Sequence, residues 1–507
     1  MKKIIIHLFI VAILLMSSCK KWLEVVPEAQ TTKDELFTTQ KGFRDALTGA
    51  YIDMKSSDIY GGSLMWGNIE YMAKNWDAVN PNSQALPNLV AGNYSDATVR
   101  GWLDNTYAAL YKVIADANGI LDVIDAKQSI FEENNYALIK GESLALRAFC
   151  HFDVLRMFGP MPDNPGTASV LSYVKDVTSN IHSPIPYQDF GQAVLSDLDS
   201  AETLLKGTDP ITQSSIRDLN PVGDALNDVK FEDDYLLYRQ IRMNYYAVLA
   251  LKARVYLWLA ANDPSQQANA AKYAQKVISA VDQKGALTFR LGTETDRVAG
   301  DNTMSPEHIL ALSVYNLAAK ATSTFGETGS LLRYDFNIQD GFYYLNNLFP
   351  VNERTSDVRW TGMWSYKSNN ANYVMYKKYI QRDGSDQNWD TRPILQIPLL
   401  RISEMYLILT ECAQGKEEAE TAYATFCDKK GIPFSNGFNS DDWQTDRKNK
   451  LIREYVREFY AEGQSFFTYK RFHVITLPTS WTYSYYSGTT AKYIVPLPDR
   501  EINYHNN

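Results

Sequence analysis

The sequence predicts a mainly α-helical protein, in which helical pairs form a scaffold that carries an irregular, partly β, aromatic-rich insert. Three observations carry this prediction. Apolar residues recur at helical spacing through much of 34–285 and again through 400–475. That period is lost over 286–395, where Tyr, Trp, Asn and Gly gather around short β-like runs such as Tyr373-Val374-Met375-Tyr376. The chain also holds 33 Tyr, 21 Phe and 10 Trp in 507 residues. Tyr and Trp join an apolar ring to a polar tip, which suits surfaces that stack on sugars or pack against partners.

The first element is not part of the scaffold. Met1-Lys2-Lys3 puts positive charge ahead of an apolar run, Ile4 to Met16, broken only by His7. The run is too short to span a bilayer and lies where the core of an export signal lies. Met16-Ser17-Ser18-Cys19 follows, small residues leading to a thiol that can carry diacylglycerol. Residues 1–18 are read as a lipoprotein signal peptide, Cys19 as the lipidated residue and 19–33 as a tether. No later stretch reaches the ~20 apolar residues of a spanning helix. The expected attachment is therefore by acyl chains, with no crossing of the membrane.

Residues 34–507 are read as one domain. Thr32 is placed as an N-cap with Glu35 as its box partner, opening a helix whose stripe is Phe37, Phe43, Leu47 and Tyr51. Residues 56–95 lose periodicity and read as a long loop. Helical spacing returns at Trp102, Leu110, Ile114 and Leu121, and again from Tyr136 to Phe158, where Gly159-Pro160 stops it. Further helices fall at 187–206, 243–262, 267–281, 400–415, 417–429 and 445–471. The pair at 243–281 is Ala-rich (Ala247, Ala250 and Ala253, then Ala268, Ala271 and Ala274), so its helices can approach closely, as in tetratricopeptide units. Binding residues are expected on loops carried by this scaffold.

The net charge of −9, with no dense Lys/Arg run, excludes a phosphate-binding stripe and hence nucleic acid. Beyond Cys19 only Cys150, Cys412 and Cys427 remain, too few for a disulfide framework although one bridge is possible. Cys150 and Cys412 sit among apolar residues on helices and read as buried thiols. No two of His151, His182, His308, His473 and His505 have metal-ligand spacing on one element. His-Glu-x-x-His, Cys-x-x-Cys, the nucleophile elbow and the phosphate-binding loop are all missing from the sequence. No catalytic residue, metal or cofactor is assigned. A glycosidase needs only two carboxylates, so a surface-tethered glycoside hydrolase stands as the alternative function.

Six blocks, in order from Cys19 to the C-terminus, carry a resemblance. They are Cys19-Lys20-Lys21-Trp22-Leu23-Glu24-Val25-Val26-Pro27; Gly42-Phe43-Arg44-Asp45-Ala46-Leu47-Thr48-Gly49-Ala50-Tyr51; and Gly141-Glu142 with Leu146-Arg147-Ala148-Phe149, Phe152-Asp153 and Phe158-Gly159-Pro160-Met161-Pro162. The fourth is Arg401-Ile402-Ser403-Glu404-Met405-Tyr406-Leu407 with Glu411-Cys412-Ala413. The fifth joins Arg453, Arg457-Glu458-Phe459, Glu462-Gly463 and Phe466-Phe467, and the sixth joins Ile494-Val495-Pro496-Leu497-Pro498 to Glu501-Ile502-Asn503. The chain resembles the SusD/RagB-like family, the surface nutrient-binding lipoproteins of Bacteroidetes. The resemblance implies a tetratricopeptide-like scaffold on the outer membrane, facing the exterior and capping a SusC-like TonB-dependent transporter. It implies capture of a glycan or other oligomer without catalysis or cofactor; a peptide-binding member shares the same architecture.

Arg147, Glu142, Arg401 and Glu404 lie beside apolar residues on helices and are expected in buried ion pairs. Asp357 and Arg359 resemble a structural Asp-x-Arg element. Specificity is expected in the variable parts: Trp66, Asn75, Trp76 and Asp77 in the 56–95 loop, and Trp360, Trp364 and Tyr366 in the insert. Trp76 with Asn75 or Asp77, and Trp66, would form one side of a shallow sugar site, and Trp360 or Trp364 the other. Rings stack on the C–H face of a sugar while amide and carboxylate groups bridge its hydroxyls.

Overall fold

Thr39 caps the first long helix. In the computed structural model α1 (Gln40–Asp53) begins where the Thr39 side chain accepts a hydrogen bond from the Gly42 amide at 3.1 Å. The structure describes residues 33–78, 84–178, 180–221, 233–334, 343–368, 373–380, 394–439, 441–478 and 485–505. The signal peptide, Cys19, most of the tether and the proposed Thr32 cap lie outside these residues.

α1 buries Phe43, Leu47 and Tyr51 against α2 (Ala97–Ile124), which Asp96 caps by accepting from the Thr98 and Val99 amides. Next comes α3 (Asn135–Phe158), buried at every residue from Gly141 to Phe158 because α2 covers one side and α4 (Tyr187–Leu205) the other. Gly141 permits that closeness: a Cβ there would stand 2.8 Å from the Leu205 side chain. α5 (Tyr245–Leu259), capped by Asn244, packs on α4 and on α6 (Gln267–Ile278).

The insert follows. β1 (His308–Ser313) leads to α7 (Leu317–Phe325), and a three-stranded sheet places β4 (Tyr373–Tyr376) between β2 (Arg333–Tyr334) and β3 (Trp364–Tyr366). β5 (Gln396–Arg401) pairs antiparallel with β1 and returns the chain to the scaffold. There α8 (Ile402–Cys412) packs on α6, and α9 (Lys416–Lys430) packs on α8. One continuous apolar cluster runs from Phe37 to Val495 and includes scaffold and insert residues alike. No described helix is long and apolar enough to cross a membrane.

Two expectations are corrected. The helix expected over 445–471 is two helices, α10 (Trp443–Glu458) and α11 (Ser465–Phe472). Between them Ala461 and Gly463 take left-handed backbone angles, with φ of 61° and 71°. At Gly463 a Cβ would fall 1.8 Å from the Leu64 carbonyl oxygen, so the chain can pass only as glycine. The supposed 56–95 loop contains helical turns at Asn68–Met72 and Ala85–Ala91, and most of its apolar residues are core. α12 (Asp499–His505) ends the described chain.

The expected buried ion pairs are present, with partners far away in sequence. Arg147 holds Asp197 through two bonds of 2.7 Å, Glu142 pairs with Arg239 at 2.7 Å, and Glu404 with Arg254 at 2.6 Å. Arg401 meets Glu307 and Glu458 at 2.6 Å each and Glu462 at 2.9 Å. Arg359 binds Asp357 at 2.7 Å and Glu454 at 2.8 Å. Cys150, Cys412 and Cys427 are buried free thiols, and burial pushes the Cys427 thiol up to about 12.

Candidate ligand-binding surface

The structure draws together the two segments that the sequence assigns to ligand, but it does so beneath the surface. Trp76 is 2% exposed and its ring meets Tyr460 at 5.2 Å; Trp364, 8% exposed, meets the same Tyr460 at 5.1 Å. Trp66 packs edge-on to Phe325 and accepts the Trp76 indole N–H on its backbone carbonyl at 2.9 Å. Asn75 is fully buried, donating to Glu70 and to Ser465 Oγ while its carbonyl accepts from the Tyr460 hydroxyl. Asp77 is buried and accepts from the Tyr334 amide. Trp360 is half-buried between Phe349 and the Arg354 guanidinium, and half-buried Tyr366 lies in the small sheet opposite Val374.

Trp66, Asn75, Trp76, Asp77 and Trp364 are therefore core residues, and offering them to a sugar would require unpacking the core. Trp360 and Tyr366 also have their rings engaged by protein. The physical reason is plain: these segments lack a period, so their sequence shows how many rings are present but not which way they point.

What this aromatic core supports is the turn above it. α7 lies on it through Phe325, whose ring touches Trp66, Trp76 and Tyr379, and Lys320 donates to the Gly61 carbonyl. The turn from β1 into α7 is pinned by the Val314 amide donating to the Leu395 carbonyl and the Leu317 amide to the Val314 carbonyl, at 2.9 and 3.0 Å. On that turn Tyr315 is 88% exposed, and no other aromatic side chain among the described residues is classed as exposed. Ser313 and Asn316 beside it are exposed, and among the described residues neither side chain has a hydrogen-bond partner. A free ring near a free hydroxyl and a free amide, on a hydrogen-bonded turn, is suited to a flat polar ligand. Nothing in the sequence distinguishes Tyr315 from the other tyrosines.

Among the described residues no three His, Cys, Asp or Glu side chains are grouped to hold a metal ion.

The fold is thus a helical scaffold with an exposed aromatic turn on its insert. Residues 21–257 match a family described as SusD-like, starch-binding associating with outer membrane, and residues 333–494 match the SusD family. The chain belongs to the SusD/RagB family. It is similar to two SusD-like proteins of Formosa agariphila, 29% identical over 168 residues and 27% over 201. Those matches cover 32% and 39% of this chain and span about a third of each relative's length, 31% and 36%. Among solved structures it is similar to a SusD superfamily protein of Bacteroides thetaiotaomicron (TM-score 0.66, 19% identity, covering 92% of this chain and 98% of that one). It is also similar to surface glycan-binding protein A of Bacteroides thetaiotaomicron in complex with laminarihexaose (TM-score 0.61, 15% identity, covering 92% and 98%). At these identities the structural likeness speaks for the fold alone.

Proposed function

We propose that this protein is a non-catalytic, lipid-anchored receptor of the outer-membrane surface. It captures a glycan, or another oligomer, and delivers it to a SusC-like TonB-dependent transporter. The observation that carries the binding part is Tyr315, an exposed ring on a hydrogen-bonded turn of the insert, in a family described as starch-binding. A sugar ring lies on Tyr315 by its C–H face while Asn316 and Ser313 meet its hydroxyls. Membrane attachment is supported by the charged start, the short apolar run and the small residues before Cys19. The transporter is supported by family membership and by the many Tyr and Trp, residues enriched at protein interfaces.

Two measurements test this reading. Calorimetry against a panel of neutral glycans should find a ligand that Tyr315→Ala binds at least tenfold more weakly, a loss of about 1.4 kcal/mol. Affinity purification from mildly solubilised membranes should bring down a large β-barrel protein with the wild type. A panel without any ligand, and recovery of the protein alone across several detergents, would defeat the proposal.

A further inference from the structure

A cleft of about 480 Å³ lies far from the insert in sequence, between α2, a stretch that includes Ser172, Val174 and Asn180 to His182, and α12. Its volume falls within the ~300–1,000 Å³ of small-molecule sites. Asp104, Tyr107, Ala108 and Tyr111 form one wall. Their spacing is i, i+3, i+4 and i+7, so they make a single stripe along α2. The rings of Tyr107 and Tyr111 stand 4.6 Å apart at 36°.

The second wall is braced against α2 and α3. The Tyr111 hydroxyl donates to the Ser172 carbonyl at 2.8 Å, and Ser172 Oγ to the His182 carbonyl at 2.7 Å. Asn118 Nδ2 donates to the Val174 carbonyl at 3.2 Å, and the Val174 amide to His151 Nε2 at 3.0 Å. The third wall is α12, tied to α2 by the ion pair of Arg100 with Asp499. It contributes Arg500 and Glu501, the latter's carboxylate acting electrostatically on Tyr107. Exposed Ile181 also lines the cleft.

Two charges in this cleft, Asp104 and Arg500, are unmatched among the described residues. Asp104 is half-buried, yet among the described residues its carboxylate has no hydrogen bond or ion pair, and exposed Arg500 has none either. Both line one cleft without pairing with each other. Such an arrangement suits a ligand that brings hydrogen-bond donors to the acid and acceptors to the guanidinium. A polyol does both, and its C–H faces suit tyrosine and isoleucine surface. With Asp104 and Glu501 against Arg500, the acids prevail, which disfavours an anionic ligand.

We propose that this cleft is a second saccharide site, specific for a short neutral oligosaccharide and separate from the Tyr315 surface. The inference rests on the glycan-binding reading above, and the experiment keeps the two apart. Calorimetry on the full-length lipoprotein in detergent uses laminarihexaose, maltohexaose and mannohexaose as neutral probes and trigalacturonate as the anionic one. Wild type should bind a neutral probe at two sites, and Tyr315→Ala should retain the cleft site. In the Tyr315→Ala background, Asp104→Ala and Arg500→Ala should each weaken that site about tenfold. Ala108→Trp, which fills the cleft from an exposed position, should abolish it.

Retention of full affinity by all three cleft variants overturns the inference, as does loss of all binding on Tyr315→Ala alone, and in both cases the glycan-binding reading survives. Preference for trigalacturonate, or for a tripeptide used as control, overturns the neutral-saccharide assignment. Release of new reducing ends during incubation would make the cleft hydrolytic and overturn it too. Failure of wild type to bind any neutral probe removes the inference and the glycan-binding reading together.

Discussion

The scaffold around α3 and the junction that carries the insert are both buried, yet they differ in how densely charge is packed. Around α3, Leu146, Phe149, Phe152 and Leu155 are buried with almost no solvent exposure, and the ion pairs there, such as Arg147 with Asp197 and Glu142 with Arg239, stand singly among apolar residues. Where the insert meets α9 and α10 the core is charged. Arg401, Arg359, Arg457, Lys378 and Lys430 interlock with Glu307, Glu353, Asp357, Glu454, Glu458 and Glu462. Burial opposes the charge on Arg401, but the carboxylates of Glu462, Glu458 and Glu307 hold its pKa well above the ordinary value. Burial likewise opposes ionisation of Glu458, and Lys430, Arg401 and Arg359 hold its pKa well below the carboxylate range.

Apolar packing is non-directional and tolerates small shifts between helices. A buried ion network tolerates few, because each charge is satisfied in one geometry only. The contrast teaches how an irregular insert, without long helices of its own, is fixed to a helical frame: direction comes from charge, and mass from apolar contact.

The largest expected effect sits at the junction. Arg401→Ala leaves three buried carboxylates short of their shared partner and should cost about 3–5 kcal/mol in urea unfolding. A loss under about 1 kcal/mol would break the contrast. Next comes the scaffold, where Leu146→Ala should cost about 2–5 kcal/mol through lost burial and a cavity. Because the two sites share no partner, the double mutant should show the sum, and strong coupling between them would mean that junction and scaffold are one unit.

Smaller effects sharpen the comparison through pH. Lys470 is buried in α11 with, among the described residues, only the Met157 and Gly159 carbonyls as acceptors, and burial lowers its pKa from 10.5 to about 7. Between those values the unfolded chain binds a proton that the folded chain has released, so stability rises with pH across that window. Lys470→Met should flatten that rise. Glu70, beside the junction, behaves inversely: burial raises its carboxyl from 4.5 to about 8 despite hydrogen bonds from Asn75 and Gly463. Here the folded chain keeps a proton the unfolded chain has lost, so stability falls as pH rises from 4.5 to 8. Glu70→Gln should remove that fall, and an unchanged slope in either variant would show that the group does not titrate as its burial dictates.

How much of this was legible follows the same division. α3, α4 and the α5–α6 pair were readable because apolar period survives in them. Arg147 and Arg401 were readable as buried ions because they stand among apolar neighbours, but Asp197, 50 residues from Arg147, has no local mark as its partner. The break between α10 and α11 had one sign, Gly463, and its cause is Leu64, remote in sequence. Trp76 and Tyr315 show the limit. Both are aromatic residues outside any period, and only the packing of Phe325 and Tyr460 decides that one ring is enclosed and the other free.

Function divides along the same line. The central claim is that the insert surface binds while core and junction only hold it in place, and Tyr315→Ala measured twice tests this most directly. Glycan affinity of the Tyr315 surface by calorimetry should fall at least tenfold, about 1.4 kcal/mol, while the urea midpoint stays that of the wild type. Unchanged affinity of that surface for a glycan that the wild type binds, or a midpoint that falls along with the affinity, would contradict the account.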